Sequence, residues 1–332
     1  MGGMKLLILG GTRFLGRTVA TLAAQRGHDV TCAARGSSDL PPDECRFVRI
    51  DRDLPDELDA LAAERWDAVV DVARQPGQVR RAARSLEPSA SAYVFVSTAS
   101  VYPDWSLEVI DESTPTVVAT EEDTVGVELY GEGKVACENA VLETFGPDRT
   151  TLVRAGLIGG PGDSSGRSGY WPWRFAHPSG PDVLVPDAYE QISQLVDVRD
   201  LAAWLVRVCE EKIAGTYLAD GPATTLGEAL DQARAAAGSS AVPTRVAEPW
   251  LLSHDVTPWM GPRSLPLWLG DETMRARFDT RAAVRAGLTC RPLEETFAAA
   301  LAYEESRAGA WPRGVGLSDE DERALLAAWV AQ

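Results

Sequence analysis

The opening segment, Lys5-Leu-Leu-Ile-Leu-Gly-Gly-Thr-Arg-Phe-Leu-Gly16, constrains the fold more than any other part of the chain. An apolar run ends in Gly10, Gly11 and Gly16, and an amphipathic helical pattern (Leu15, Val19, Leu22, Ala23) follows at once. A buried strand, a tight glycine turn and a helix N-terminus, in that order, form a dinucleotide site. The first glycine permits a sharp turn, and the last permits close packing of helix against strand. The free N–H groups and positive dipole end of the helix then meet a pyrophosphate. Glycine-rich loops also occur in ordinary turns, so the strand–turn–helix context is what makes the motif specific. The loop residues Gly10, Gly11, Thr12, Arg13, Phe14, Leu15 and Gly16 are accordingly expected at a cofactor. Arg13 stands where a third glycine is usual. Its guanidinium suits a bidentate or stacked contact with an anionic ligand group.

The length of 332 residues suffices for one large domain or two intimate ones. A net charge of −17 argues against nucleic acid, because phosphate binding needs a concentrated basic surface. No apolar run approaches a membrane span, and the N-terminus leads directly into a strand, so neither a membrane nor a secretory route is expected. The five cysteines, Cys32, Cys45, Cys137, Cys209 and Cys290, are scattered and lack metal-ligand spacing. They read as free thiols of a reducing cytoplasm, none of them a strong nucleophile, and no metal site is expected.

Strands are expected at 29–35, 46–51, 67–73, 92–98 and 150–154, with helices at 56–65, 78–86 and 129–145. A polar loop fills 103–125. This alternation implies βαβ units and hence an α/β fold with a doubly wound parallel sheet of the Rossmann kind. Beyond residue 156 the pattern loosens. Residues 159–169 are loop chemistry, followed by Tyr170-Trp-Pro-Trp173. A helix at 198–211, a strand at 215–219 and a helix at 225–236 then follow. The expected organisation is a dinucleotide-binding domain over 1–156, with 195–220 returning to it. A smaller, loop-rich C-terminal substrate lobe would comprise 157–194 and 221–332. Its tryptophans, among them Trp250, Trp259 and Trp268, are expected mostly in its core.

Two further features imply chemistry. In Tyr130-Gly-Glu-Gly-Lys134 the phenol and the ammonium are four apart, so on a helix they share a face. A nearby cation favours the phenolate and prepares the tyrosine to exchange a proton with an alcohol or carbonyl. Seven tyrosines and only three lysines make this spacing a rare coincidence. Gly131 and Gly133 are poor helix formers, so this helix start needs tertiary support. The second feature is Ser97-Thr-Ala-Ser-Val-Tyr102 at the end of the fifth strand. Hydroxyls there can orient a substrate oxygen beside the phenol. Thr98 is the first choice, with Ser97 and Ser100 behind it, although such residues often only cap backbone groups. Arg154, Arg167 and Arg174 are the basic candidates for a substrate diphosphate.

Together these residues resemble the extended branch of the short-chain dehydrogenase/reductase superfamily, the NAD-dependent epimerase/dehydratase proteins. The matching parts are the Gly10–Gly16 loop, Asp51 after the third strand, Ser97–Tyr102, Tyr130 with Lys134, and Val196-Asp-Val-Arg-Asp-Leu-Ala202. The resemblance implies that Tyr130 is the general acid/base, that Lys134 binds the nicotinamide ribose, and that Thr98 positions the reacting oxygen. It also implies that Asp51 contacts adenine. Arg52, Ala73 and Ser97 complete the expected cofactor-binding set. Arg13 matches an atypical subgroup that includes chloroplast stem-loop RNA-binding proteins. That subgroup supplies the alternative of a non-catalytic NAD(P)-binding regulatory or RNA-binding protein. Ala33-Ala34-Arg35 lacks the acidic residue that would bind a ribose 2′-hydroxyl, and Arg35 suits a 2′-phosphate. NADP is therefore expected over NAD. The implied partner is a small-molecule substrate, a sugar nucleotide or small oxygenated metabolite, and a homodimer is compatible with the family.

Overall fold

A computed structural model describes residues 2–37, 39–54, 56–271, 274–307 and 314–331. Seven strands build the main sheet: β1 (Lys5–Leu9), β2 (Asp29–Ala34), β3 (Arg46–Arg49), β4 (Ala68–Asp71), β5 (Tyr93–Thr98), β6 (Thr150–Ala155) and β7 (Gly215–Ala219). Their spatial order is β3-β2-β1-β4-β5-β6-β7, and every neighbouring pair is parallel. This is the doubly wound sheet that the alternation of strands and helices predicts. The order reverses between β1 and β4, which opens a crevice at the carboxyl ends of the strands.

The helices are α1 (Phe14–Gln25), α2 (Asp59–Ala62), α3 (Pro76–Leu86), α4 (Tyr130–Phe145), α5 (Arg167–Ala176), α6 (Val198–Glu211), α7 (Leu226–Ala236), α8 (Glu248–Ser253), α9 (Arg281–Arg285), α10 (Leu293–Ser306) and α11 (Asp319–Val330). The strands of a sheet covered on both faces must be apolar on both sides. Ile8, Val70, Val94 and Val96 therefore pack toward α1 and α6, in one cluster with Val19, Ala23, Leu201 and Leu205. Leu7, Val69, Tyr93 and Phe95 pack toward α3 and α4, with Val79, Ala83, Cys137 and Val141.

A second apolar cluster lies in the C-terminal part, where strands Asp182–Pro186 and Val242–Val246 pair in parallel. Around them α5, α7 and α10 pack together, with Tyr170, Trp171, Trp268 and Phe297 fully buried.

Two local expectations change. The helix expected at 56–65 shrinks to α2, because Asp56 takes a positive φ of 63° before it. Behind it, the Trp66 indole N–H donates to the Leu61 carbonyl at 2.8 Å and closes the turn. Residues 167–169, expected as loop, open α5, and Tyr170–Trp173 continue that helix with Pro172 inside it. Burial of Tyr170, Trp171 and Phe175 outweighs the poor helix propensity of that proline.

Candidate active site

The glycine loop leaves β1 by a turn that only glycine accommodates. Gly10 has φ +95°, and its N–H donates to the Ala33 carbonyl at 2.9 Å. A Cβ on Gly16 would lie 2.2 Å from the Gly10 carbonyl oxygen, so α1 could not approach the turn with any larger residue. Arg13 is the N-cap of α1, with extended backbone and no side-chain capping bond. The first N–H groups of α1 thus have no acceptor from a capping side chain, and they face the crevice that an anion would enter.

The Arg13 guanidinium is more than half exposed and reaches Asp39 at 3.6 Å. Arg35, one residue beyond β2, is exposed and has no ion pair among the described residues. Asp39 lies five residues beyond the end of β2, so the Arg13 pair joins the glycine loop to the chain leaving that strand. Asp51 is half-buried, and its Oδ1 accepts the Asp53 N–H at 3.1 Å. Arg52 behaves differently from a free ligand cation. Its guanidinium is paired with the fully buried Asp71 at 2.8 Å, and Asp71 also accepts the Tyr93 hydroxyl at 2.8 Å. That pairing makes Arg52 an anchor for β4. The other Asp71 oxygen accepts the Ala73 N–H at 2.9 Å and shapes the chain as it leaves β4.

Lys134 is buried on the inner face of α4, and its Nζ donates to the carbonyls of Ala73 at 2.9 Å and Val96 at 2.6 Å. It also lies 4.5 Å from the centre of the Phe95 ring. No carboxylate pairs with it among the described residues, an unusual state for a buried ammonium. The two carbonyls belong to the ends of β4 and β5, so Lys134 is clamped at the carboxyl edge of the sheet. Tyr130 begins α4 one turn earlier and is half-buried.

The odd glycines beside it have a packing reason. A Cβ on Gly131 would lie 2.4 Å from the Ser100 carbonyl oxygen, and one on Gly133 would lie 2.7 Å from Val125. The first turn of α4 therefore docks directly on the Ala99–Val101 turn that follows β5. Thr98 caps that turn: its Oγ1 accepts the Ser100 N–H at 3.1 Å and contacts the Ser100 hydroxyl at 3.3 Å. Ser97 is buried, and its Oγ has no hydrogen-bond partner. Structure thus brings Tyr130, Lys134, Thr98, Ser97 and Ala73 together at one edge of the sheet.

The three candidate arginines separate. Arg154 is locked to Glu138 of α4 by two bonds of 3.1 and 2.8 Å and also donates to the Tyr102 hydroxyl at 3.1 Å. Arg174 is almost wholly buried and bound to Asp319 at 2.7 Å and to the Leu317 carbonyl at 2.6 Å. Both are framework cations, because each has buried carboxylate or carbonyl partners. Of the three, only Arg167 has no carboxylate partner among the described residues. Glu138, the partner that removes Arg154 from the substrate side, carries no sequence signal beyond its place on α4.

Burial pushes the thiols of Cys32, Cys137 and Cys209 up to about 12 and that of Cys290 to about 11, which leaves them inert as nucleophiles. All five cysteines are unpaired. Among the described residues no group of His, Cys, Asp or Glu could hold a metal ion, and no helix is long and apolar enough to cross a membrane.

Comparison with known proteins bears on this edge of the sheet. Residues 6–88 match the model of the NAD dependent epimerase/dehydratase family. The matched segment runs from β1 through α3, the half of the sheet that carries the glycine loop.

About nine-tenths of the chain shares its fold with solved enzyme structures. WbmH of Bordetella bronchiseptica, solved with NAD+, is 19% identical with a TM-score of 0.68 over 91% of this chain and 98% of that one. UDP-glucuronic acid 4-epimerase of Bacillus cereus, solved with NAD, is 14% identical with a TM-score of 0.67 over 90% and 96%. In sequence, the chain is 28% identical over 220 residues to the chloroplast stem-loop binding protein of 41 kDa b of Arabidopsis thaliana. That match covers 61% of this chain and 54% of the plant protein, so the chain spans about half the length of this curated relative.

Proposed function

We propose that this protein is an NAD(P)-dependent oxidoreductase of the extended short-chain type, acting at a secondary alcohol or carbonyl of a sugar nucleotide or small oxygenated metabolite. The observation that carries this reading is the position of Lys134, a buried ammonium with no counter-ion among the described residues, held by the carbonyls of Ala73 just beyond β4 and Val96 of β5, one helical turn from Tyr130. Holding a cation there costs desolvation that packing alone does not recover, and a ligand hydroxyl or ribose offers it a further acceptor.

The residues present fit a dinucleotide. The Gly10–Gly16 turn leaves no Cβ between β1 and α1, and the N-terminal N–H groups of α1 lack a capping side chain. A nicotinamide cofactor bound there supplies the hydride acceptor or donor. Tyr130 then takes the alcohol proton in the oxidising direction and returns it in the reducing one, Lys134 offers a donor to the ligand, and the Thr98 hydroxyl orients the reacting oxygen. The exposed and unpaired Arg35, with no acidic residue at the end of β2, supports NADP over NAD. Five unpaired thiols fit a reducing cytoplasm.

Tyr130→Phe is the test. It removes the proton-transferring oxygen and leaves the ring, so turnover of NADPH or NADH with a carbonyl substrate should be abolished while cofactor titration by fluorescence is unchanged. Full turnover in that variant would sink the mechanism.

A second reading, a cofactor-binding RNA-binding or regulatory protein, is favoured by the 28% identity to the stem-loop binding protein. The net charge of −17 weighs against it. A salt-dependent shift of stem-loop RNA, with no turnover in the presence of bound cofactor, would transfer the assignment to it.

A further inference from the structure

Asp71 is the second acidic residue of Asp67-Ala-Val-Val-Asp-Val-Ala73 and ends β4 in the middle of the sheet, beside Leu9 of β1 and Phe95 of β5. It is fully buried. Its Oδ2 accepts the Arg52 guanidinium, from the chain beyond β3, and the Tyr93 hydroxyl of β5, each at 2.8 Å. Its Oδ1 accepts the Ala73 N–H at 2.9 Å. An apolar residue would fill the interior of a parallel strand at less cost than a buried ion pair. Proton exchange at Tyr130 makes no use of this charge.

Ala73 is held at both of its polar groups, the N–H by Asp71 and the carbonyl by Lys134 Nζ at 2.9 Å. The other acceptor of Lys134, the Val96 carbonyl, and the Phe95 ring beneath the ammonium belong to β5, and Phe95 is the cross-strand neighbour of Asp71. Val72 fixes the segment from the opposite side. Its N–H donates to the Leu9 carbonyl at 3.2 Å, and a Cβ on Gly10 would stand 2.6 Å from its Cγ2. Residues 71–73 thus run between the glycine turn and Lys134. An ammonium without a carboxylate partner is aimed only by its acceptors. One of the two acceptors of Lys134 is placed no better than Ala73, and Asp71 sets Ala73.

On the reading of the site as an NAD(P)-dependent oxidoreductase, we infer that Asp71 is a positioning residue for Lys134: by fixing the Ala73 carbonyl it directs the ammonium's remaining N–H toward the bound dinucleotide. An ammonium has three donors, and Ala73 and Val96 take two of them. Arg52 and Tyr93 hold Oδ2, which leaves Oδ1 turned to the Ala73 N–H. Asparagine cannot take over this role. It offers one acceptor oxygen and one NH2 group, so whichever way it turns a donor faces a donor. Phenylalanine at position 93, by contrast, removes one donor and leaves the Arg52 and Ala73 bonds in place.

The test is a double-mutant cycle on the full chain, with NADPH and NADH titrated by fluorescence into the millimolar range and stability followed by urea denaturation. Asp71→Asn should weaken the preferred cofactor by about tenfold or more, as for a mispaired charged hydrogen bond. In the Lys134→Met background the same substitution should change affinity by no more than about twofold, because no ammonium is left to aim. Tyr93→Phe should lower the urea midpoint and hold cofactor affinity within about twofold of wild type. An Asp71 that only supports the fold would weaken binding equally in both backgrounds. That result, or an Asp71→Asn protein that binds as wild type does, would overturn the inference. If Asp71→Asn does not fold, Asp71→Glu, which keeps the charge and moves the accepting oxygen, is read in the same cycle by the same criteria. A wild type that binds neither NADPH nor NADH refutes the oxidoreductase reading itself, and the inference falls with it.

Discussion

Gly131 and Ser100 are in contact through the one atom that glycine lacks: a Cβ at 131 would stand 2.4 Å from the Ser100 carbonyl oxygen. Two helix starts of different kinds, the first turn of α4 and the short turn capped by Thr98, are brought together by that missing methyl. Gly131→Ala sets two effects against each other. Alanine improves helix propensity by about 1 kcal/mol in a helix interior. Against that, a contact well below van der Waals distance with a backbone oxygen forces α4 away from the turn, at a cost of about 1–3 kcal/mol. The clash wins, because a carbonyl in a capped turn cannot rotate aside. Urea denaturation should therefore show Gly131→Ala destabilised, and turnover should fall with it as Tyr130 moves off Thr98. A more stable and fully active variant would contradict this packing.

Glu138 joins α4 to β6 by its two bonds to Arg154, and both side chains are buried. Removing one partner strands the other charge in the interior, at a cost of about 3–5 kcal/mol. Glu138→Ala should lower stability by that order in chemical denaturation, whereas Lys5→Ala, which breaks a half-exposed pair with Glu64, should cost about 1 kcal/mol or less. Equal losses would mean that the Arg154 pair is not a buried anchor.

Arg35 is exposed just beyond β2 and has no ion pair among the described residues. Arg35→Asp exchanges a cation suited to a 2′-phosphate for an acceptor suited to a 2′-hydroxyl. The ratio of NADPH to NADH affinity should fall by about tenfold or more, in line with a charged hydrogen bond. An unchanged ratio in parallel fluorescence titrations would remove the basis for NADP preference.

Asp220 follows β7 and is buried, with one oxygen accepting the Gly221 N–H at 2.8 Å and the other without a partner. Burial pushes its carboxyl up to about 8, well above the ordinary value of 3.8. The folded state therefore holds a proton that the unfolded state releases between about pH 4 and pH 8. Stability from this group is complete below that window and is lost as pH rises through it, by several kcal/mol at most. Asp220→Asn is neutral throughout, so its melting temperature should gain on wild type from about pH 5 to about pH 8 and level off above that. A constant difference over that range would show that Asp220 is ionised in the fold.

The sheet was legible in the sequence because its signals are local. Apolar runs of four to six residues, most of them followed by a helical period, fixed the seven strands to within about two residues, and the glycine turn marked the junction of β1 and α1. The pairing of Tyr130 with Lys134 was legible for the same reason, since a four-residue spacing is a property of one helix. Where distant contacts decide, the sequence was silent. Tyr170–Trp173 became helix because its aromatics are buried by α7 and α10, and the 56–65 helix was cut short by the hydrogen bond of Trp66.

Three arginines show the same division within the site. Arg154, Arg167 and Arg174 carry identical side chains, and nothing in their immediate neighbours ranks them. Glu138 lies sixteen residues before Arg154, and Asp319 lies far beyond Arg174, yet folding neutralises both cations through them. Asp163, only four residues before Arg167, is closed off by Ser165 and Ser168. Local spacing determined the glycine turn and the placing of Tyr130 and Lys134 on one helix. Tertiary packing decided which charges remained free to meet a ligand, because a charge is available only when folding brings it no partner.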